Sequence, residues 1–423
     1  MRIILAFPAC LGMALALLPA LAAGEDWPQF RGRDGQGHSA ETGLPTVWSE
    51  SENIAWKTPI PGLGWSSPVV HGKLVWLTTA IEESGSLRAV AIDRGTGAVV
   101  HDVEVFRKPD LGRVAQKNSH ASPTPVLEGD RVYVHFGAHG TACLTSSGEI
   151  VWKTILQHDH RHGPAGSPVV WNDLLIVACD GADHQYVVAL DKKTGTARWK
   201  QNRSGETAYS TPLVIQAGPV EQLVSVGGGA VMAYNPKSGS EIWRCRFDGQ
   251  SSVPRPVFGG GLLYFCTGYW TPSLVALRVD GRGDVTHSHV VGRLHRSIPL
   301  TSSPLLHDGD LYMVSDQGAM TCVDAKSGHE HWHKRLGGEF SASPVLADGH
   351  IFLVSEDATT SVLAADREFK LLATNKLDGR AQASPAISDQ AIYLRTDQHL
   401  YKIQQPNAEV AKSNAKPQRP KVK

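Results

Sequence analysis

The chain has 423 residues, with 41 basic and 41 acidic side chains and a formal net charge of zero. That balance argues against a nucleic-acid partner, because such binders carry a basic excess. Its 42 glycines and 25 prolines suit a fold built of turns. No long apolar stretch with a helical period follows residue 21, which excludes a mainly helical protein.

Arg2 precedes an apolar run over residues 3–21 that ends in Ala20-Leu21-Ala22, a small-residue cleavage pattern. Residues 1–22 therefore read as a signal peptide, and the mature chain as periplasmic or secreted. Pro8, Gly12 and Pro19 interrupt the run and no basic stop-transfer flank follows, so an anchor helix fits less well. Cys10 lies too early in the run for a lipoprotein site. No later stretch is long and apolar enough to span a bilayer. Residues 23–52 hold Trp27, Phe30 and Trp48, which are too apolar for a free linker, so this segment is expected to pack on the domain that follows.

That domain, residues 53–403, is built from a phrase of about 45 residues that recurs along the chain. Each copy opens with Ser/Thr-Pro and continues through three short apolar strands, a turn that ends on Gly, and often a Trp. One copy runs Ser167-Pro168, Leu174 to Ala178, Val187 to Leu190, Asp191 to Gly195, then Trp199. The openings are Ser67, Thr124, Ser167, Thr211, Arg255, Ser303, Ser343 and Ser384, each before Pro, and the fifth breaks the pattern with Arg. Four short strands at a fixed period mark a β-propeller blade. The expected fold is all-β: a single eight-bladed propeller of four-stranded antiparallel blades. The last copy stops before its fourth strand, and residues 53–57 read as an orphan outer strand. That strand is expected to complete the eighth blade and close the ring, leaving no open edge. Residues 404–423 are polar and basic and read as a disordered tail.

The five cysteines after the leader, Cys143, Cys179, Cys245, Cys266 and Cys322, form no C-x-x-C and mostly sit in apolar strands. They read as small buried hydrophobes. If a bridge forms, Cys245 and Cys266 are the favoured pair.

The phrase Ala-x-Asp-x-x-Thr-Gly-x-x-x-Trp at residues 189–199 resembles the pyrroloquinoline-quinone (PQQ) repeat, and Asp26 to Gly32 is similar to the opening of many proteins with that repeat. The resemblance spans nearly the whole mature chain. It implies the propeller fold and either of two functions. One branch holds quinoprotein dehydrogenases, which carry a vicinal Cys-Cys pair, a Ca²⁺ ion and a catalytic Asp. The other holds propellers without a quinone, including the scaffold of outer-membrane β-barrel assembly. Here there is no Cys-Cys and no C-x-x-C-H for a c-type haem. The non-catalytic branch is the expected one, with no cofactor and no catalytic residues; PQQ with Ca²⁺ belongs only to the alternative, an oxidoreductase of a sugar or alcohol.

In a propeller, the loops between blades and the loops between the two middle strands share one face. Those loops collect Arg113, Lys117, Asn118 and His120, then residues 158–162, then Arg203, Arg255, Arg293, Arg296 and Arg380. The middle-strand loops add His139, Asp180, Tyr269, Trp270, Asp316, Glu356 and others. Arg forks suit carboxylates and phosphates. Arg113, His120, Arg161, Asp180, Arg203, Arg255, Arg296 and Arg380 are thus the expected ligand residues, for an anionic ligand or an envelope protein at the channel mouth. The competing reading is that these are ordinary solvated loop residues.

His158, His160 and His162 alternate. In an extended segment they lie on one side about 6.6 Å apart, close enough for neighbours to share a metal, with His139 or His184 adding a ligand. His329, His331 and His333 alternate on an outer strand and read as solvent-facing. No Gly-x-Ser-x-Gly elbow and no phosphate loop occurs.

Overall fold

The computed structural model describes residues 25–406. The expected leader and most of the expected tail lie outside the described residues. Apart from two 3₁₀ turns, Glu82–Ser84 and Gly137–His139, the described secondary structure is all strand. Eight antiparallel sheets follow one another along the chain, each with four strands of its own. The first blade uses Val69–His71, Leu74–Ile81, Ser86–Asp93 and Val99–Arg107. The third uses Val169–Trp171, Leu174–Asp180, Gln185–Asp191 and Ala197–Arg203. The fourth gains a parallel two-residue strand, Gly283–Asp284, against Trp243 and Arg244.

Middle strands such as His350–Val354 are buried along almost their full length, because each sheet is covered on both faces by neighbouring blades. Outer strands such as Ala197–Arg203 are mostly exposed or half-buried. The ring closes as the sequence predicts: Ile54–Pro59 pairs with His399–Gln404, Ile54 opposite Ile403 and Lys57 opposite Tyr401.

The repeated Trp and Gly join one blade to the next. In the third blade, Asp191 Oδ1 accepts the N–H groups of Lys193 (2.9 Å) and Thr194 (3.1 Å), folding a turn that ends on Gly195. Gly195 has φ 73°. A Cβ there would stand 2.5 Å from the ring of Trp152 in the blade before. Glycine is thus required both by conformation and by the packed indole. The indole N–H then donates to the carbonyl of Lys192 (3.0 Å). Trp199 does the same to Pro236 (3.1 Å) and Trp56 to Arg94 (3.1 Å), so the closing strand is tied to the first blade by the standard device.

A second device lines the axis. The N–H of Ser67 donates to Thr124 Oγ1, Thr124 to Ser167 Oγ, and Ser167 to Thr211 Oγ1. The chain resumes from Arg255 to Ser303, Ser343, Ser384 and back to Ser67. The opening Ser/Thr residues are therefore a hydrogen-bonded belt, broken only where Arg255 supplies no hydroxyl to Thr211. There Ser210 Oγ donates to the carbonyl of Pro254 (2.9 Å).

The segment from Glu25 to Ser39 crosses the face that carries the tight turns. Trp27 pairs with Val70 in the first blade, and the carbonyl of Pro28 accepts from Leu127 in the second. Gln36 Oε1 accepts from Phe258 in the fifth, His38 Nε2 bonds the carbonyl of Leu306 in the sixth, and Ser39 donates to Leu346 in the seventh. Trp27 is buried, as is Trp48, whose backbone N–H donates to Asn375 Oδ1. All five cysteines named above are free and buried, and Cys245 and Cys266 fall in different core clusters.

Candidate functional site

With one face crossed by the N-terminal segment, the channel is a blind cavity of about 500 Å³ open on the loop face. This is within the range of small-ligand sites. Phe30 from the crossing segment lines it together with the belt hydroxyls Ser67, Thr124, Ser167, Thr211, Ser303, Ser343 and Ser384. Each of these hydroxyls accepts one backbone N–H from the neighbouring blade. Among the described residues none gives its own hydrogen to a protein acceptor, so the O–H groups remain for a ligand or water.

Towards the mouth stand Tyr209, Tyr269, Trp270, Gln250, Gln382, Asn118, His162 and Lys117. Among the described residues, Lys117 is the one lining residue of fixed charge. Its Nζ lies 2.7 Å from Glu339 and 3.0 Å from Glu356. Against the pull of burial, those two carboxylates hold it above its ordinary value. Asp316, nearby, accepts from the N–H groups of Leu300 and Thr301, while burial raises its carboxyl. The mouth therefore has no uncompensated positive charge among its lining residues. Trp270 is 67% exposed and holds φ 81°, a strained conformation for a bulky residue.

The ligand residues expected from the sequence are not gathered about this cavity. Arg203 and Asp180 form a buried ion pair: Arg203 Nε lies 2.6 Å from Asp180 Oδ1, and its Nη2 contacts Oδ2. Arg203 Nη1 reaches Ser225 Oγ in the fourth blade (3.0 Å), so the pair fastens two blades. Arg255 is buried too, donating to the carbonyls of Phe30 (2.8 Å) and Pro212 (2.9 Å). It faces the crossing segment, not the mouth. Burial lowers it to about 10, and its neighbour Arg31 to about 9. Arg296 turns outward to Glu330 (3.1 Å). Arg113, Arg161 and Arg380 stay exposed on loop-face segments but do not line the cavity.

His120, also expected as a ligand residue, is buried between blades beside His139, with ring centroids 5.7 Å apart. His139 lies 5.0 Å from His160, and His160 lies 6.1 Å from His158. The expected trio is split, because Arg161 at φ 44° and Gly163 at φ 96° bend the loop and send His162 to the cavity mouth, near Tyr209. Alternation puts side chains on one side only where the backbone is extended, and here it is not. The group of three with ligand atoms within 4.8 Å among the described residues is Asp310, Asp324 and His331. Arg367 already bridges those carboxylates, with Nε 2.9 Å from Asp310 and Nη2 3.6 Å from Asp324. A guanidinium occupies the cation's place.

Sequence reasoning named Tyr269, Trp270 and Lys117 only as loop residues and read the Ser/Thr openings as strand markers. Tyr209 and Gln382 were missed. The available signal was the position of the openings: a residue that starts every innermost strand must ring the axis.

The family model described as "Outer membrane protein assembly factor BamB" matches residues 37–183, 183–284 and 270–397. The BamB protein of Burkholderia pseudomallei is 27% identical over 292 residues, covering 64% of this chain and 69% of that protein. Methanol dehydrogenase [cytochrome c] subunit 1 of Paracoccus denitrificans is 29% identical over 146 residues, but the match spans only 22% of it. Among solved structures, BamB from Moraxella catarrhalis superposes with a TM-score of 0.59 at 14% identity, over 83% of this chain and 97% of that one. The quinohemoprotein alcohol dehydrogenase of Comamonas testosteroni superposes at 0.67 with 11% identity, over 90% and 81%. At such identities the structural likeness speaks for the fold alone. The matches of the family model cover most of the sequence, and the chain belongs to this PQQ-repeat β-propeller family.

Proposed function

We propose that this chain is an exported, non-catalytic propeller of the cell envelope that binds a protein partner on its loop face. The carrying observation is the crossing segment: it lies across the axial end of the turn face and leaves the channel open on the loop face. The match to an assembly factor supports an envelope protein-binding role. Arg113, Arg161 and Arg380 are exposed on that face and would attract an acidic partner segment, an attraction that salt weakens.

The oxidoreductase reading is less well supported by the residues present. A quinone bearing several carboxylates needs cations, and the cavity's Lys117 is already held by Glu339 and Glu356. A bound Ca²⁺ needs about 6–8 oxygen ligands, and the acidic trio among the described residues is bridged by Arg367. These residues favour the binding reading over the oxidoreductase one.

The test is site-specific photo-crosslinking in intact cells. Probes at Arg161 and Arg380 on the loop face are expected to yield a discrete protein adduct. Probes at Lys73 and Lys326, near the tight turns, are expected to yield none. Equal adducts from both faces would refute the proposal.

A further inference from the structure

We propose that the blind cavity binds a neutral saccharide, the end of a glycan, without chemical change. This goes beyond the protein-docking role and does not depend on it.

The walls are rich in donors. The belt hydroxyls are fixed in place by the N–H groups they accept, which leaves their hydrogens for a ligand. Gln382 adds a second, independent observation. It is 8% exposed, lines the cavity, and its Nε2 has no partner. A buried amide without a partner is costly unless a bound group or water completes it. The complementary ligand is dense in acceptor oxygens.

Charge selects among such ligands. Carboxylates and phosphates are acceptors too, but Lys117 is held by Glu339 and Glu356, and Asp316 lies close by. Inside the cavity an added anion would meet these carboxylates with no uncompensated lining cation, since Arg161 and Arg380 lie outside the lining. A neutral polyol meets no such repulsion.

The aromatic groups complete the match. Trp270 and Tyr269 are 67% and 44% exposed at the mouth, and Tyr209 lines the same cavity. A large indole left in water on a left-handed backbone gains nothing for folding, and strain of this kind gathers at ligand sites. A pyranose ring offers an apolar C–H face to such a platform and hydroxyls at its edge to the belt. The blind end limits entry to one or a few sugar units.

The test uses the full mature chain with a panel of neutral hexose and N-acetylhexosamine di- and trisaccharides, read by tryptophan fluorescence and saturation-transfer NMR. At least one panel member is expected to saturate below about 10 mM, with affinity unchanged between about 0.05 and 0.5 M NaCl. Trp270→Gly removes both platform and strain. It is expected to bind at least about tenfold more weakly while melting no lower than the parent. Gln382→Leu is expected to bind several-fold more weakly. The proposal is overturned if no panel sugar binds, if Trp270→Gly binds as the parent does, or if only acidic glycans bind and salt abolishes the effect.

Discussion

Five imidazoles, His120, His135, His139, His158 and His160, lie close together around the second blade, all below their ordinary value of 6.5. Burial is the main cause. It lowers His135 and His160 to about 3 and His139 to about 4, with neighbouring imidazoles adding to the effect. The nearby carboxylates Glu82, Asp110, Asp159, Asp180 and Asp183 pull the other way but do not prevail. Below pH 6.5 the unfolded chain takes up protons that the folded chain refuses. The stabilisation is therefore complete above that pH and is lost as pH falls toward the folded values. Depressed carboxylates such as Asp183 and Asp284, at about 2, lose theirs only below the ordinary aspartate value of 3.8. Urea unfolding followed between about pH 7.5 and 4.5 reads chiefly the five histidines, against the opposite but less numerous contribution of the raised carboxyls of Asp180 and Asp316. Stability is expected to fall over that range, and the double variant His139→Gln/His160→Gln to lose visibly less. A parent curve flat with pH would contradict this account.

At the scale of the strand, the blade is a unit that reaches into the next by its Trp and receives the previous Trp on its Gly. This is why the repeat was legible: a turn that must present Gly195 to Trp152, and Gly239 to Trp199, leaves the same letters at the same spacing. The strand that closes the ring was legible because one end had a strand too many and the other a strand too few. The surroundings of the expected ligand residues were not legible. Asp180 and Arg203 are distant in sequence and adjacent only after their strands pair. Arg255 looked like a loop Arg near the axis, and it is near the axis, but it faces the covered end. Sequence spacing gives the blade of a residue, not the direction of a flexible side chain. The closing strand supplies the prediction. Trp56 is half-buried, donates to the carbonyl of Arg94, and packs on Gly97. Trp56→Ala is expected to cost roughly 2–3 kcal/mol, at or below the core range for a lost indole. Deleting residues 53–58 is expected to prevent the cooperative transition altogether, since it strips His399–Gln404 of its outer partner and unties the ring. A deletion variant that melts like the parent would exclude closure by this strand.

For the whole molecule, the crossing segment decides which side can act. Its backbone and side chains bond the first, second, fifth, sixth and seventh blades, and Ser388 Oγ in the eighth donates to the carbonyl of Glu25 (2.6 Å). It also brings Arg31 into the interior. Arg31 Nη2 donates to Gln36, while its Nε and Nη1 lack partners and Arg255 lies close by. Two neighbouring buried guanidinium groups are costly, and the Asp34 carboxylate of the same segment, together with its apolar contacts and backbone bonds, offsets them. Deleting residues 25–39 removes those contacts and Arg31 together, and returns Arg255 toward water. The ring itself should survive, because closure rests on Ile54–Pro59 and on the indole contacts. The expected result is a folded protein of lower melting temperature. Its Leu127 and Leu346 amides, which bond the segment in the parent, should exchange faster with deuterium. A quencher that reaches Trp65 only from the loop face in the parent should then reach it from both ends of the channel. If exchange at those amides and quenching of Trp65 are unchanged, the segment is not the floor of the cavity.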